Sequence, residues 1–298
     1  MADIIVVGAG PAGLTAAIYA RRAGRSVLVM EKSGFGGQMT FSPKIENYPG
    51  YVSVSGSELA DKMVEQAISQ GAEFEFAEVT AIEKSENGFI VTADTGSYQA
   101  KAVIIAAGAK HRRLGVPGED ELIGNGISFC AVCDGAFYAD REVAVIGGGN
   151  SALQEALQLS EICSKVTVIQ DMDRLTGEKQ LADAVYAAEN IEVILSSRVT
   201  GFAGEGELIT VNFTSDGKAV SKQVNGVFVA IGLVPEAGIF SNLIEVDPRG
   251  YASSGEDCTT VTKGVFVAGD CRTKNIRQIS TAIADGASAA LAACELLG

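Results

Sequence analysis

A short apolar strand, a glycine turn, an apolar-periodic helix and a second apolar strand follow one another twice in this chain, and few folds accept that pattern. The first copy reads Ile4-Ile-Val-Val7, then Gly8-Ala-Gly10-Pro11-Ala12-Gly13, a helix ending near Gly24, and Val27-Leu-Val-Met30 closing on Glu31. The second reads Val143-Ala-Val-Ile146, Gly147-Gly-Gly149-Asn-Ser-Ala152, a helix through about Ile162, and Val166-Thr-Val-Ile169 closing on Gln170. Each is a complete βαβ dinucleotide fingerprint. The glycines permit a tight turn and let a pyrophosphate approach a helix N-terminus, and the residue ending the second strand faces a ribose. Glu31 and Gln170 each lie 23 positions after the first glycine of their copy, so the two can be compared place by place.

Each copy is followed by a strand-rich, turn-punctuated stretch, residues 74–105 and 191–231, that reads as a β-meander ending in an apolar strand and glycine. The chain then returns with Gly264-Val-Phe-Val-Ala-Gly-Asp270 and a small-residue helix, Ser280 to Leu297, which complete the first fold. The expected class is therefore α/β, with two Rossmann-like dinucleotide-binding folds, each carrying a β-meander and the second inserted into the first. Expected boundaries are 1–113 and 242–298 for the discontinuous domain and 114–241 for the insertion.

Charge narrows the partners. A net charge of −14 excludes nucleic acid and anionic membranes, which call for a basic surface. The acidity is uneven: residues 114–241 hold 18 acidic and 7 basic side chains, the rest 19 and 16. No apolar run approaches the ~20 residues of a bilayer span and no export leader is visible, so a cytoplasmic protein without a membrane segment is expected. In a reducing compartment Cys163, Cys258, Cys271 and Cys294 read as small buried apolar residues.

Cys130-Ala-Val-Cys133-Asp134 has redox spacing. The same spacing is half of a zinc site, but no second pair with metal spacing exists, and a closed site needs four ligands. Thiol–disulfide exchange needs a thiolate nucleophile, a resolving partner and a group that handles protons, which Asp134 can supply. Asp134 is also a plain turn-starter before Gly135.

These features, with Gly36-Gly37-Gln38, Glu46-Asn47-Tyr-Pro-Gly50, Ala106-Ala107-Gly108-Ala109, Val227-Phe-Val-Ala-Ile-Gly232 and Gly269-Asp270 with Arg277-Gln278, resemble the low-molecular-weight thioredoxin reductases, a flavoprotein group, in order and over essentially the whole chain. The resemblance implies FAD on the discontinuous domain, a dithiol on the insertion, a homodimer, and a rotation that offers the dithiol alternately to flavin and to a thioredoxin-like substrate. By the same resemblance Cys130 attacks the target disulfide and Cys133 lies against the flavin. Gly8, Gly10, Pro11, Ala12 and Gly13 would hold the FAD pyrophosphate, Glu31 the adenosine ribose, and Val79 the adenine edge, with Lys32 also among the cofactor-binding residues. Gly37, Gln38, Asn47, Gly108, Gly269, Asp270, Arg277, Gln278 and Ile279 would line the flavin and ribityl chain. Ala107 stands where the family often has Thr, at the cost of one hydroxyl contact.

The electron donor is where the chain departs from that family. NADPH-using members carry a basic cluster after the second strand of the insertion to neutralise the 2'-phosphate. Here the segment reads Gln170-Asp171-Met-Asp173-Arg174-Leu-Thr-Gly177, two carboxylates against one arginine, which disfavours NADPH. NADH remains open, with Asp171 or Gln170 on a free 2'-OH. The resemblance to the ferredoxin-dependent flavin thioredoxin reductases points instead to ferredoxin, and this donor is the expected one. Local positives at Arg21, Arg22, Arg25, Lys110-His111-Arg112-Arg113, Arg272, Lys274 and Arg277 would dock an acidic ferredoxin. A different class, a flavin reductase shuttling electrons between ferredoxin and pyridine nucleotide, shares the doubled fold but has no use for the dithiol.

Overall fold

The structure, a computed structural model, describes residues 1–42, 44–205 and 208–298. The chain opens with β1 (Ala2–Val7), α1 (Pro11–Arg22) and β2 (Val27–Glu31). Pro11 suits the first turn of α1, where its missing N–H would have had no partner, and Arg21 and Arg22 lie in the last turn, where the helix dipole favours cations. Helix α2 (Gly56–Ser69) is capped by Ser55, whose hydroxyl accepts the Glu58 N–H, and leads to β3 (Glu73–Phe76), parallel to β2.

The meander is β4 (Val79–Ser85), β5 (Gly88–Ala93) and β6 (Gly96–Ile105). Strand β6 has two roles. Its first half pairs antiparallel with β5, and its second half, a fully buried apolar run, lies parallel to β1. One strand thus welds meander and Rossmann sheet together, in the order β3-β2-β1-β6-β5-β4.

After β7 (Ala109–His111) come α3 (Glu119–Leu122), β8 (Ile127–Ser128), α4 (Ala131–Asp134), β9 (Glu142–Ile146), α5 (Asn150–Ser160), β10 (Lys165–Ile169), α6 (Lys179–Ala187) and β11 (Ile191–Ile194). A three-stranded meander follows, β12 (Ser197–Glu205), β13 (Leu208–Ser215) and β14 (Lys218–Val224), then β15 (Gly226–Val229). The parallel sheet here runs β11-β10-β9-β15-β8. Strand β16 (Leu233–Pro235) pairs with β7, and β17 (Val265–Val267) adds to β6 before α7 (Ile279–Leu297) closes the chain. The doubled α/β architecture read from the sequence is the architecture present.

Two compact units result. One comprises Met1–Lys44, Tyr48–Lys110 and Val234–Gly298; the other comprises Ile45–Asn47 and His111–Leu233. The crossings therefore fall at 110/111 and 233/234 rather than at the expected 113/114 and 241/242. Ala237 and Phe240 decide the second crossing: both are buried with Leu243 and Ile244 in the core that also holds Ile5, Ile82 and Ile105. Burial of a Phe side chain is worth about 1.5–3 kcal/mol, which ties this stretch to that core.

The expectation that no apolar run approaches spanning length fails for α7, whose 19 residues are long and apolar enough, by length and composition, to cross a bilayer. Here the helix packs on α1 so closely that a Cβ on Gly286 would strike the Ala12 carbonyl oxygen. Its Asp285 carboxylate is buried and paired with Arg272 at 2.7 Å and Lys274 at 2.9 Å. Cys163, Cys258, Cys271 and Cys294 are free and buried, as expected. Burial pushes the first three thiols up to about 11, which leaves them unreactive at neutral pH.

Candidate functional site: a dithiol turn and two glycine cradles

Cys130 and Cys133 form a disulfide with their Cα atoms 5.3 Å apart. The turn is built by local bonds. Cys130 caps α4 with extended backbone, its Sγ accepting the Cys133 N–H at 3.2 Å, and the Asp134 N–H donates to the Cys130 carbonyl at 3.1 Å. Ser128, buried on β8, orients both ends: its hydroxyl accepts the Cys130 N–H at 3.1 Å and donates to Asp134 Oδ2 at 2.6 Å. Asp134 Oδ1 is buried without a hydrogen-bond partner. Burial pushes the Asp134 carboxyl up, against the lowering effect of Ser128. A carboxyl so held keeps a proton more readily than a solvated one, which suits a donor to a departing thiolate.

At the first glycine turn a Cβ on Gly8 would strike the Ala106 carbonyl oxygen and one on Gly13 the Gly8 carbonyl oxygen, so neither position tolerates a side chain. Gly8 N–H donates to Met30 O, Gly36 N–H to Ala9 O, and Ala9 N–H to Glu31 Oε2, each at 2.8 Å. The other Glu31 oxygen accepts both the Ser33 N–H at 2.9 Å and the Ser33 hydroxyl at 3.1 Å, which leaves Oε2 as the oxygen with a lone pair for a further hydroxyl. Gly10 starts α1 with no side-chain cap, and Gly37 lies against it, a Cβ there falling 3.3 Å from Gly10 Cα.

The remaining expected cofactor residues are distributed as follows. Lys32 is tied to Glu236 at 2.9 Å and Glu78 at 3.7 Å, and Gln38 is exposed. Val79 begins β4 just before a bulge, where the ladder slips between Val79 and Ala81. Ala107 packs on the core, and the Gly108 carbonyl accepts the Glu236 N–H at 3.1 Å. Gly269 presses on Ala12, a Cβ there falling 2.9 Å away, and its N–H donates to Asp285. Arg277 donates to the carbonyls of Asp270, Lys274 and Arg272 and lies 4.1 Å over the Tyr251 ring. Gln278 and Ile279 start α7, with Thr281 completing a capping box. Asn47 is grouped with the inserted unit and not with these residues.

Asp270 carries the fit to a cofactor. Its Oδ1 is buried with no hydrogen-bond partner, and burial pushes its carboxyl up despite Lys274 and Arg277. Lys274 Nζ stands 3.9 Å from that oxygen, too far for a hydrogen bond, so a hydroxyl-bearing ligand fits there, in the same unit as the Gly8 to Gly13 turn and Glu31.

The second glycine turn repeats the backbone-to-backbone bonds of the first. Gly147 N–H donates to Ile169 O at 2.9 Å, as Gly8 does to Met30. Thr176 and Gly177 N–H groups donate to Gly148 O at 2.7 and 2.9 Å, as Gly36 does to Ala9. Gln170 stands in the place of Glu31, buried, and so close to Gly148 that a Cβ there would fall 2.6 Å from its Cδ. Gly149 starts α5 in extended backbone without a side-chain cap, as Gly10 starts α1.

The chain matches the family model for pyridine nucleotide-disulphide oxidoreductases over residues 2–286. It is 42% identical over 287 residues to a thioredoxin reductase of Listeria monocytogenes, covering 95% of this chain and 90% of that one. It is 40% identical to a 34.2 kDa protein in the rubredoxin operon of Clostridium pasteurianum, covering 99% and 97%. The crystal structure of thioredoxin reductase from Streptococcus pyogenes superposes with a TM-score of 0.95 at 40% identity, over 100% of this chain and 98% of that one. The chain belongs to the low-molecular-weight thioredoxin reductase family. It is an FAD-dependent disulfide oxidoreductase.

In this reductase two residues escaped sequence reading. Ser128 was signalled only by its spacing from Cys130 and Asp134. Glu155, on α5, looks like an ordinary polar helix residue, yet its Oε2 is buried without a partner. Part of the basic face expected to dock ferredoxin is committed elsewhere, while Arg22 and Arg112 stay exposed. Arg272 and Lys274 are buried on Asp285, Lys110 pairs with Glu236 at 2.9 Å, and Arg21 donates to the Gln70 and Arg25 carbonyls.

Proposed function

We propose that this reductase passes electrons through Cys130 and Cys133 to the disulfide of a thioredoxin-like protein and draws them from NADH. The observation that carries the first half is the Cys130–Cys133 disulfide with the buried Asp134 carboxyl hydrogen-bonded into the same turn through Ser128. FAD, when bound, supplies an acceptor for a hydride and a donor of an electron pair to a disulfide. The chain's own residues do the rest. The Cys130 thiolate attacks one sulfur of the target disulfide, the target's S–S bond breaks, and its other sulfur leaves as a thiolate. Cys133 then attacks Cys130 Sγ and releases the second target sulfur. Two protons are needed, and Asp134 holds and delivers one at its carboxyl oxygen.

The donor reading rests on the second glycine turn, which keeps the strand-to-turn backbone bonds of the first while the loop after β10 lacks a phosphate clamp. Asp171 and Asp173 are exposed there, and Arg174 is held by Asp173 at 3.2 Å. Glu178, which exchanges hydrogen bonds with Asn150 at 2.7 and 3.0 Å, adds a third acid at the start of α5. A 2'-phosphate with about two negative charges meets repulsion in that loop, whereas a free 2'-OH can donate to Asp171. Ferredoxin, the donor expected from sequence, is chemically sufficient, but of the cations named for its docking Arg272, Lys274, Lys110 and Arg21 are held by other groups, while Arg22 and Arg112 stay exposed.

Anaerobic bleaching of the flavin absorbance by NADH, NADPH and reduced ferredoxin in turn is the test. NADH should bleach at concentrations about tenfold or more below NADPH, a difference of ~1.4 kcal/mol. Equal use of NADPH, or bleaching by ferredoxin alone, overturns the donor assignment.

A further inference from the structure

We propose that Glu155 is a positioning residue for the redox dithiol, taking up a proton when the Cys130–Cys133 disulfide is reduced. The inference rests on the dithiol reading above. Glu155 lies on α5, which packs on the short α4 that carries the cysteines. One bond joins the two: the Ala131 N–H, one peptide bond from Cys130, donates to the Glu155 carboxylate. Oε2 is buried with no partner. The elements packed on α5 carry Asp134 on α4, Glu142 on β9, Lys165 on β10, and Lys179 and Asp183 on α6. Burial pushes the Glu155 carboxyl up to about 8, and the Ala131 N–H pulls the other way.

A carboxylate there and a thiolate on the adjoining turn would be two like charges in a partly desolvated place. Reduction breaks the S–S bond with two electrons from the cofactor. If Glu155 is ionised beforehand, two protons enter from solvent, one to a sulfur and one to Glu155, leaving a thiol, a thiolate and a neutral acid. If Glu155 is already neutral, one proton suffices. Above the titration of Glu155, therefore, reduction consumes one more proton than below it, and each added proton changes the reduction constant tenfold per pH unit.

The test uses the FAD-loaded enzyme equilibrated with dithiothreitol redox buffers from pH 6 to 10, with Cys130 and Cys133 counted by alkylation and mass spectrometry. Relative to Glu155→Gln, which keeps an acceptor for Ala131, the wild-type constant should be flat below pH 7. By pH 9 it should have fallen about threefold or more. Parallel curves overturn the proposal. Asp134→Asn must keep the break near pH 8, and its loss there would assign the proton to Asp134 instead. Should Glu155→Gln not fold, the absence of a break in both wild type and Asp134→Asn is equally decisive. A Cys130–Cys133 pair that never exchanges with the buffer would instead sink the dithiol reading itself.

Discussion

At the scale of single residues, the site is a matter of which carboxyls are left without partners. Asp134, Glu155 and Asp270 each keep a buried oxygen without a hydrogen-bond partner, that of Asp270 facing Lys274 at 3.9 Å, and each is pushed up by burial. Asp134→Asn removes the proton but keeps the acceptor for Ser128. Reduction of a thioredoxin disulfide should fall about 100-fold, the usual scale for losing a general acid, while FAD content and the Cys130–Cys133 disulfide persist. Stopped-flow turnover with a fixed donor reads that loss. Glu155 also predicts a stability trend. Its folded value of about 8 lies above the ordinary 4.5, so the native state holds a proton that the unfolded chain releases. That stabilisation is complete below about pH 4.5 and is lost as pH rises through 8. The melting temperature of wild type should therefore drop relative to Glu155→Gln between pH 5 and 9. Cys130, Cys133 and Asp134 were legible in the sequence because their chemistry needs fixed spacing. Glu155 was not, because its role depends on a helix packing against a turn 24 positions away.

At the scale of elements, two strand–turn–helix units share their backbone bonds, and on the function proposed above they serve different ligands, so paired substitutions separate them. Gly8→Ala would drive a Cβ into the Ala106 carbonyl at a backbone φ of 102°, and Gly147→Ala would place one 2.6 Å from the Ala230 carbonyl at φ 128°. Both are strained, but at different sites. The first variant should purify with little bound flavin, read from the ratio of visible to ultraviolet absorbance. The second should keep its flavin and lose rapid bleaching by NADH. Selectivity should move with the loop after β10: Asp171→Ser with Asp173→Arg should raise kcat/KM for NADPH about tenfold or more, one charge-assisted phosphate contact being worth roughly 1.5–3 kcal/mol. The glycine turns were legible because only glycine meets their geometry. The docking face proposed from arginine and lysine positions was not, because sequence cannot show that Arg272 and Lys274 point inward onto Asp285.

At the scale of the molecule, the charge of −14 separates the possible donors by their response to salt. A small dinucleotide recognised by backbone and hydroxyl contacts should lose little in kcat/KM between low and physiological ionic strength. A protein donor docking by its charges should change many-fold, because screening sets in over ~8–10 Å. Measuring both dependences on one preparation checks the donor assignment without mutation. The nested architecture was legible because the strand at 265–267 and the helix after it had no other sheet to join; the crossings were misplaced because Phe240 gives its burial to a core that only the folded chain reveals. That nesting has a consequence during synthesis. Strand β17 and helix α7 emerge from the ribosome some 160 residues after β6, the strand they complete. At about 5–20 residues per second the gap lasts roughly 8–32 s. The insertion has its whole sequence in hand first, so the nascent outer half waits, open along one edge, until β17 and α7 have been made.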